Sequence, residues 1–378
     1  MALAGCSREP IGPPTIGAPT TVVPSAGLPD TVAPQDANNN LDVIRHEGRV
    51  YLAFRTAPSH FASPDTVLYV VSSADQQTWR KETELRLGTD IREPRFLSFR
   101  GTLQLYFAVL GDNALDFEPG DARRIRLGDD GTWTAPEKFY LDGFIPWRIK
   151  IIDDRPYMIG YVGGENIYDT NGEPLTIHLL ESDDGFTWRP AVGDDAVVSR
   201  GGGSEADFAL MDDGSLVAVV RNEAGDELGW GSKICRSERG GLGNWTCKGD
   251  RRKYDSPLVF RHRDDVILVG RRSVGNAGLY DLQRTDLSPE EATQFYLLSY
   301  SELPKRCAVW RVDPETLTVE HLSDLPSRGD TCFASVLSNE DGGYTLYNYT
   351  SPLDGEDLGW LLAQLGTTSI YRLELRWD

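Results

Sequence analysis

One hairpin recurs along the chain, and it limits the possible folds more than any other feature. NNNLDVIRHEGRVYLAFR, DIREPRFLSFRGTLQLYFA and FIPWRIKIIDDRPYMIGY are followed by SEADFALMDDGSLVAVVR, KYDSPLVFRHRDDVILVGRR and DTCFASVLSNEDGGYTLYNY. Each reads as strand, tight turn, strand, with turns near Gly48, Gly101, Asp154, Gly214, Asp264 and Gly342. Past the turns, apolar residues alternate, as in Val50, Leu52, Phe54 and Leu216, Ala218, Val220, the period of a half-buried strand. A second signal follows several hairpins. Turns ending in Trp79, Trp133, Trp188 and Trp245 recur at intervals of 54, 55 and 57 residues. In Ser182-Asp-Asp-Gly-Phe-Thr-Trp188, Ser and Asp can bond the turn backbone, Gly permits positive φ, and Trp packs between sheets. Six such units of about four strands predict an all-β, six-bladed β-propeller over residues 39–378. The last strand, TTSIYRLELRW, is expected to close the ring against the first blade. The fifth blade carries an insertion over residues 273–303 with a short helix in SPEEATQFYLLSY.

Composition bears mainly on partners. The net charge of −20 argues against nucleic acid or an anionic membrane surface, although a local arginine cluster can still receive an anionic ligand. No apolar run is long enough to span a bilayer. Leu3-Ala4-Gly5-Cys6 resembles a lipobox, but only five residues precede Cys6. Either the start of a lipoprotein signal is missing, or the cysteine is incidental. Residues 7–38, rich in Pro, Thr, Ala and Gly, read as a flexible tether. Contact with a membrane is therefore expected only through a lipid on Cys6, which would place the protein outside the cytoplasm; with an incidental Cys6 the reading is cytoplasmic. Cys235 and Cys247 flank a glycine-rich turn and are expected to form a disulfide. Cys307 and Cys332 are either a second pair or buried thiols. One lipidated cysteine and two disulfides would use all five in an oxidising compartment.

The outer turns resemble the Asp-boxes of the sialidase (neuraminidase) superfamily. They are clearest at Ser182–Trp188 and degenerate at Ser73-Ala-Asp-Gln-Gln-Thr-Trp79, each one residue shorter than usual. The fourth hairpin, SEADFALMDDGSLVAVVR, resembles that family more sharply: Glu205, then Asp213-Gly214, then Arg221. The resemblance implies that the Glu activates a nucleophilic Tyr and that the Arg belongs to a triad gripping a sugar carboxylate. It also implies a general acid at Asp65. Two positions depart from the pattern. Phe333 stands where the family has its Tyr, and Asn38, Asn39 and Asn40 fill the stretch of the first triad Arg. Catalysis, if present, then falls to carboxylates, with Asp65 as acid and Glu205 or Glu93 as base or nucleophile.

Arg55, Arg92, Arg95, Arg148, Arg221, Asp255 and Arg271 open or close strands of their blades and are expected to line one axial mouth as substrate-binding groups. Arg55, Arg221 and Arg271 each lie seven residues past their turn. His60 reads as a surface histidine. No cluster has metal-ligand spacing and no cofactor motif occurs, so neither metal nor cofactor is expected. The reading is a monomeric, glycan-active propeller, a glycoside hydrolase acting on an anionic or hydroxyl-rich sugar. The alternative is a non-catalytic propeller that binds glycans or a partner protein. If exposed, the Glu205–Arg221 pair would add little stability, so removing either residue is expected to leave the fold intact.

Overall fold

The computed structural model describes residues 10–114, 116–169 and 172–377. Six antiparallel sheets follow one another around an axis. Blade 1 consists of Ala37–His46, Arg49–Ala57, Val67–Ser73 and Arg80–Leu85, ordered from the axis outward. Blades 2, 4 and 5 repeat this order from Ile91–Phe99, Gly203–Leu210 and Asp255–His262, and blade 3 does so from Ile145–Ile152 with one extra outer strand. Between blades, aliphatic faces interleave: Val217, Val219 and Ile234 of blade 4 share a core with Val259, Val266 and Leu268 of blade 5.

Blade 6 differs from the expectation. It joins Ser335–Ser338, Tyr344–Thr350 and Ser369–Arg376 to two N-terminal strands, Thr15–Ile16 and Thr20–Val23. Both N-terminal strands pair with Ser369–Arg376, with Thr15 opposite Arg376 and Thr20 opposite Arg372. TTSIYRLELRW therefore lies inside blade 6, and the ring is closed by the segment read as tether. Three strands from the C-terminal end leave an open edge, which Thr20–Val23 covers while burying Val22 and Val23. The boundary at 38/39 falls within the first inner strand. These strands are short and flanked by prolines, so composition conceals them. Cys6 lies outside the described residues.

The outer turns act as staples. Ser182 Oγ donates to Asp184 Oδ1 (3.0 Å), which accepts from the Phe186 and Thr187 amides at 2.7 Å. Trp188 stands edge-on to Tyr106, centroids 5.8 Å apart. In the degenerate copy, Gln76 takes the left-handed backbone (φ 57°) that Gly185 (φ 77°) takes in the other. Buried Trp79 there meets Tyr347 of blade 6 at 6.5 Å. Cys235 and Cys247 sit opposite one another on neighbouring strands and are bonded. Cys307 and Cys332, left open by the sequence, are also bonded and tie blade 5 to the start of blade 6. The expected insertion helix spans Pro289–Ser301, with a capping box between Ser288 and Glu291.

Candidate functional site

The site is built by a defect repeated around the ring. In blades 1 to 5 the inner strand loses register with its neighbour near its start, at Asn39/Leu41, Arg92/Arg95, Pro146/Arg148, Gly203/Ala206 and Asp255/Leu258. Such bulges insert a residue and re-aim the side chains around it. Asn40 (φ 39°), Glu93 (φ 54°) and Ser256 (φ 52°) hold left-handed backbone there, a conformation costly for residues other than glycine and common at functional sites. Blade 6 has Cys332 at φ 82° in the corresponding place. The last regular pair before each bulge is Asn39 opposite Arg55, Arg92 opposite Ala108, Pro146 opposite Gly160, Gly203 opposite Asn222, and Asp255 opposite Arg271.

Residues at and beside these positions border a front cavity of about 270 Å³, whose lining includes Arg92, Glu93, Glu205, Arg221 and Arg271. Aromatic faces complete it: Phe61, Phe117, Trp147, Tyr161, Tyr168, Phe333, Tyr349 and Trp360. Glu205 Oε1 accepts from Arg221 Nη1 at 2.5 Å, and Oε2 accepts from the Ser256 amide at 2.7 Å. Arg221 also pairs with Glu223 and with Asp255 (3.4 Å). Burial opposes its charge, but Glu205 and Asp255 hold its pKa well above the ordinary arginine value. The pair is thus buried within a network, and the estimate for an exposed pair does not apply.

Glu93 accepts from Asn40 Nδ2 at 3.0 Å. Its other oxygen, Oε2, has no hydrogen-bond partner among the described residues. Burial pushes its pKa up to about 7; Arg95 opposes the shift and the charge of Glu205 adds to it. Asp255 lies just beneath, ion-paired with Arg271 (3.2 Å) and accepting from Tyr300 OH (2.6 Å). Burial alone would raise it, but Lys253, Arg221 and Arg271 bring it down to about 2.

Other expected site residues lie elsewhere. Asp65 is exposed and absent from the cavity wall; the same loop contributes His60, Phe61 and Ala62 instead. Arg55 is wholly buried under the floor, paired with Asp90 at 2.8 Å. Arg95 and Arg148 lie past the bulge, where strand alternation turns them below the floor. There Arg148 donates to the carbonyls of Pro257 and Ala334 (3.0 and 3.1 Å), and Arg95 to those of Trp147 and Leu41. Phe333 packs against this floor, with the Arg95 guanidinium 4.4 Å over its ring and Trp147 edge-on at 5.5 Å.

Tyr161 and Tyr349 are cavity residues that the sequence reading passed over. Both stand seven residues past their turns, at Asp154 and Gly342, so the arithmetic that found Arg55, Arg221 and Arg271 also finds them.

No family model matches the chain, and neither does any curated protein. Solved structures do. Trypanosoma rangeli sialidase is similar over 90% of this chain and 55% of its own, at 11% identity and a TM-score of 0.54. Phage phi92 endosialidase is similar over 97% of this chain and 70% of its own, at 11% identity and a TM-score of 0.60. The fold is therefore the six-bladed sialidase propeller. The chain spans about half the length of the trypanosomal sialidases it matches.

Proposed function

We propose that the front cavity binds a hydroxyl-rich sugar and cleaves its glycosidic bond. The observation that carries this reading is the presence of two buried carboxyl groups, Glu93 and Glu205, in the lining of one cavity with opposite surroundings. Glu93, pushed up to about 7, suits a general acid that protonates the leaving oxygen. Glu205, ion-paired with Arg221, supplies the negative charge that faces the anomeric carbon. Aromatic walls suit the apolar faces of a sugar ring, and the charged hydrogen-bonding groups suit its hydroxyls.

The lining arginines favour a hydroxyl-rich ligand over a carboxylate. Arg221 and Arg271 are each tied to buried acids, and Arg92 to Asp90, so an anionic sugar would have to compete with them. The fold shared with proteins named sialidase and endosialidase supports a glycan ligand. Two disulfides support an oxidising, extracytoplasmic location, and a lipid on Cys6 would anchor the chain there. The same paired arginines also suit a pre-organised lectin-like site, the second reading.

A glycan-library hydrolysis screen on the purified protein separates the two. Release of a reducing sugar by the wild type, and its loss in Glu205→Gln, is expected. Glycan binding without turnover would favour the lectin.

A further inference from the structure

The loop between the second and third strands of blade 1 brings His60 to the cavity. Its ring is held from the approach to the neighbouring blade 6: Nδ1 lies 2.7 Å from Oδ2 of Asp330, which is wholly buried. Asp330 Oδ1 accepts from Tyr349 OH at 2.9 Å. The His60 backbone is clamped as well, its N–H donating to the Gln364 carbonyl (3.0 Å) and its C=O accepting from Arg92 Nη2 (2.6 Å). Nε2 makes no hydrogen bond among the described residues. One nitrogen is thus anchored on a buried carboxylate while the other is free at a cavity wall, an arrangement that fixes a histidine's tautomer and aim.

We propose that His60 is the proton-accepting group of this cavity, with Asp330 as the residue that positions it. The proposal rests on the glycoside-cleaving reading above and adds the base which that reading lacks. The groups facing the ring are Asp330, Tyr349, Arg92 and, beneath, Arg55. Burial and the two arginines hold the imidazole below its ordinary pKa against the pull of Asp330, so near neutral pH Nδ1–H donates to the carboxylate and Nε2 keeps its lone pair. A water in the cavity gives its proton to Nε2 while its oxygen bonds the anomeric carbon. The glycosidic C–O bond breaks, its electron pair stays on the leaving oxygen, and that oxygen takes the proton of the Glu93 carboxyl. The imidazolium and the Glu93 carboxylate then exchange a proton through solvent, leaving both as they began. One displacement of this kind inverts the anomeric centre.

The test uses the purified full chain and the glycan found by the screen. His60→Gln is expected to slow turnover by about 100-fold or more with glycan affinity unchanged, to remove the limb of the pH profile that rises as imidazole deprotonates, and to regain activity with added imidazole. Asp330→Asn is expected to move that limb, and ¹⁵N NMR of the wild type should show His60 protonated at Nδ1 and bare at Nε2. His60→Gln acting at the wild-type rate, or with its pH profile intact, overturns the role of His60 and leaves the glycosidase reading standing. A wild type that hydrolyses no glycan overturns both. A folded His60→Gln protein that loses affinity together with turnover would make the residue a binding group and also overturn the proposal.

Discussion

The same six inner strands line both ends of the axis, yet the two mouths differ. The front is the 270 Å³ cavity of acids, arginines and aromatic rings. The back opens as a wider hollow of about 750 Å³ among Val43, Ile149, Phe208, Val259 and Leu337, with Arg95, Arg148 and Lys150 on its floor. Backbone regularity separates them. Past the bulges the strands alternate in register, and their cations serve the architecture: Lys150 pairs with Asp207 at 2.6 Å, and Arg148 ties blade 3 to carbonyls of blades 5 and 6. Before the bulges, the re-aimed side chains meet each other and an open space. In this propeller, the candidate site gathers where the sheet is irregular, and the regular stretch below holds the blades together.

That contrast should be visible in stability. Arg148→Ala removes a buried cation that reaches three blades and leaves Asp207 with Lys150 as its remaining cation; a loss of about 3–5 kcal/mol is expected in urea unfolding. Arg221→Ala should cost a comparable amount, because Glu205, Glu223 and Asp255 would all lose a partner. Glu205→Gln keeps the shape and should leave the unfolding midpoint near that of the wild type. If Glu205→Gln unfolds as readily as Arg148→Ala, the front cavity is as architectural as the back.

Glu93 gives the next largest effect. Its pKa is raised from 4.5 to about 7, so the folded state holds a proton that the unfolded state releases. The stabilisation this brings is complete below about pH 4.5 and is lost as pH rises through 7. Glu93→Gln should therefore gain stability relative to the wild type between pH 6 and 8 by thermal melts. Turnover by the wild type should also decline above about pH 7 as the acid deprotonates. A melting difference that does not change with pH would contradict the buried, protonated carboxyl.

The outer rim gives the smallest effect. Asp184→Ala removes the carboxylate that caps two turn amides, for about 1 kcal/mol, with turnover unchanged. Any larger effect on activity would mean that the staple reaches the cavity.

How much was legible in the sequence follows the same division. Regular features declared themselves: the turns, the alternation after them, the recurring tryptophans and Cys235–Cys247. The Glu205–Arg221 hairpin could be read because both residues sit at fixed distances from one turn. The bulges could not, because Asn40, Glu93 and Ser256 carry left-handed backbone without a glycine to mark it. His60 looked like a surface residue because its partner, Asp330, is 270 residues away. Arg95 looked like a mouth residue because one inserted position decides on which side of the floor it falls. The N-terminal strands were hidden by composition, since four residues of Thr and Val before a proline carry little periodicity.

The most direct test is a crystal structure of Glu205→Gln with the glycan identified by the screen. The sugar is expected in the front cavity, stacked on its aromatic walls, with the glycosidic oxygen facing Glu93 and the anomeric carbon facing residue 205. A sugar bound at the back mouth or on the outer turns, with the front cavity unchanged, would contradict the account.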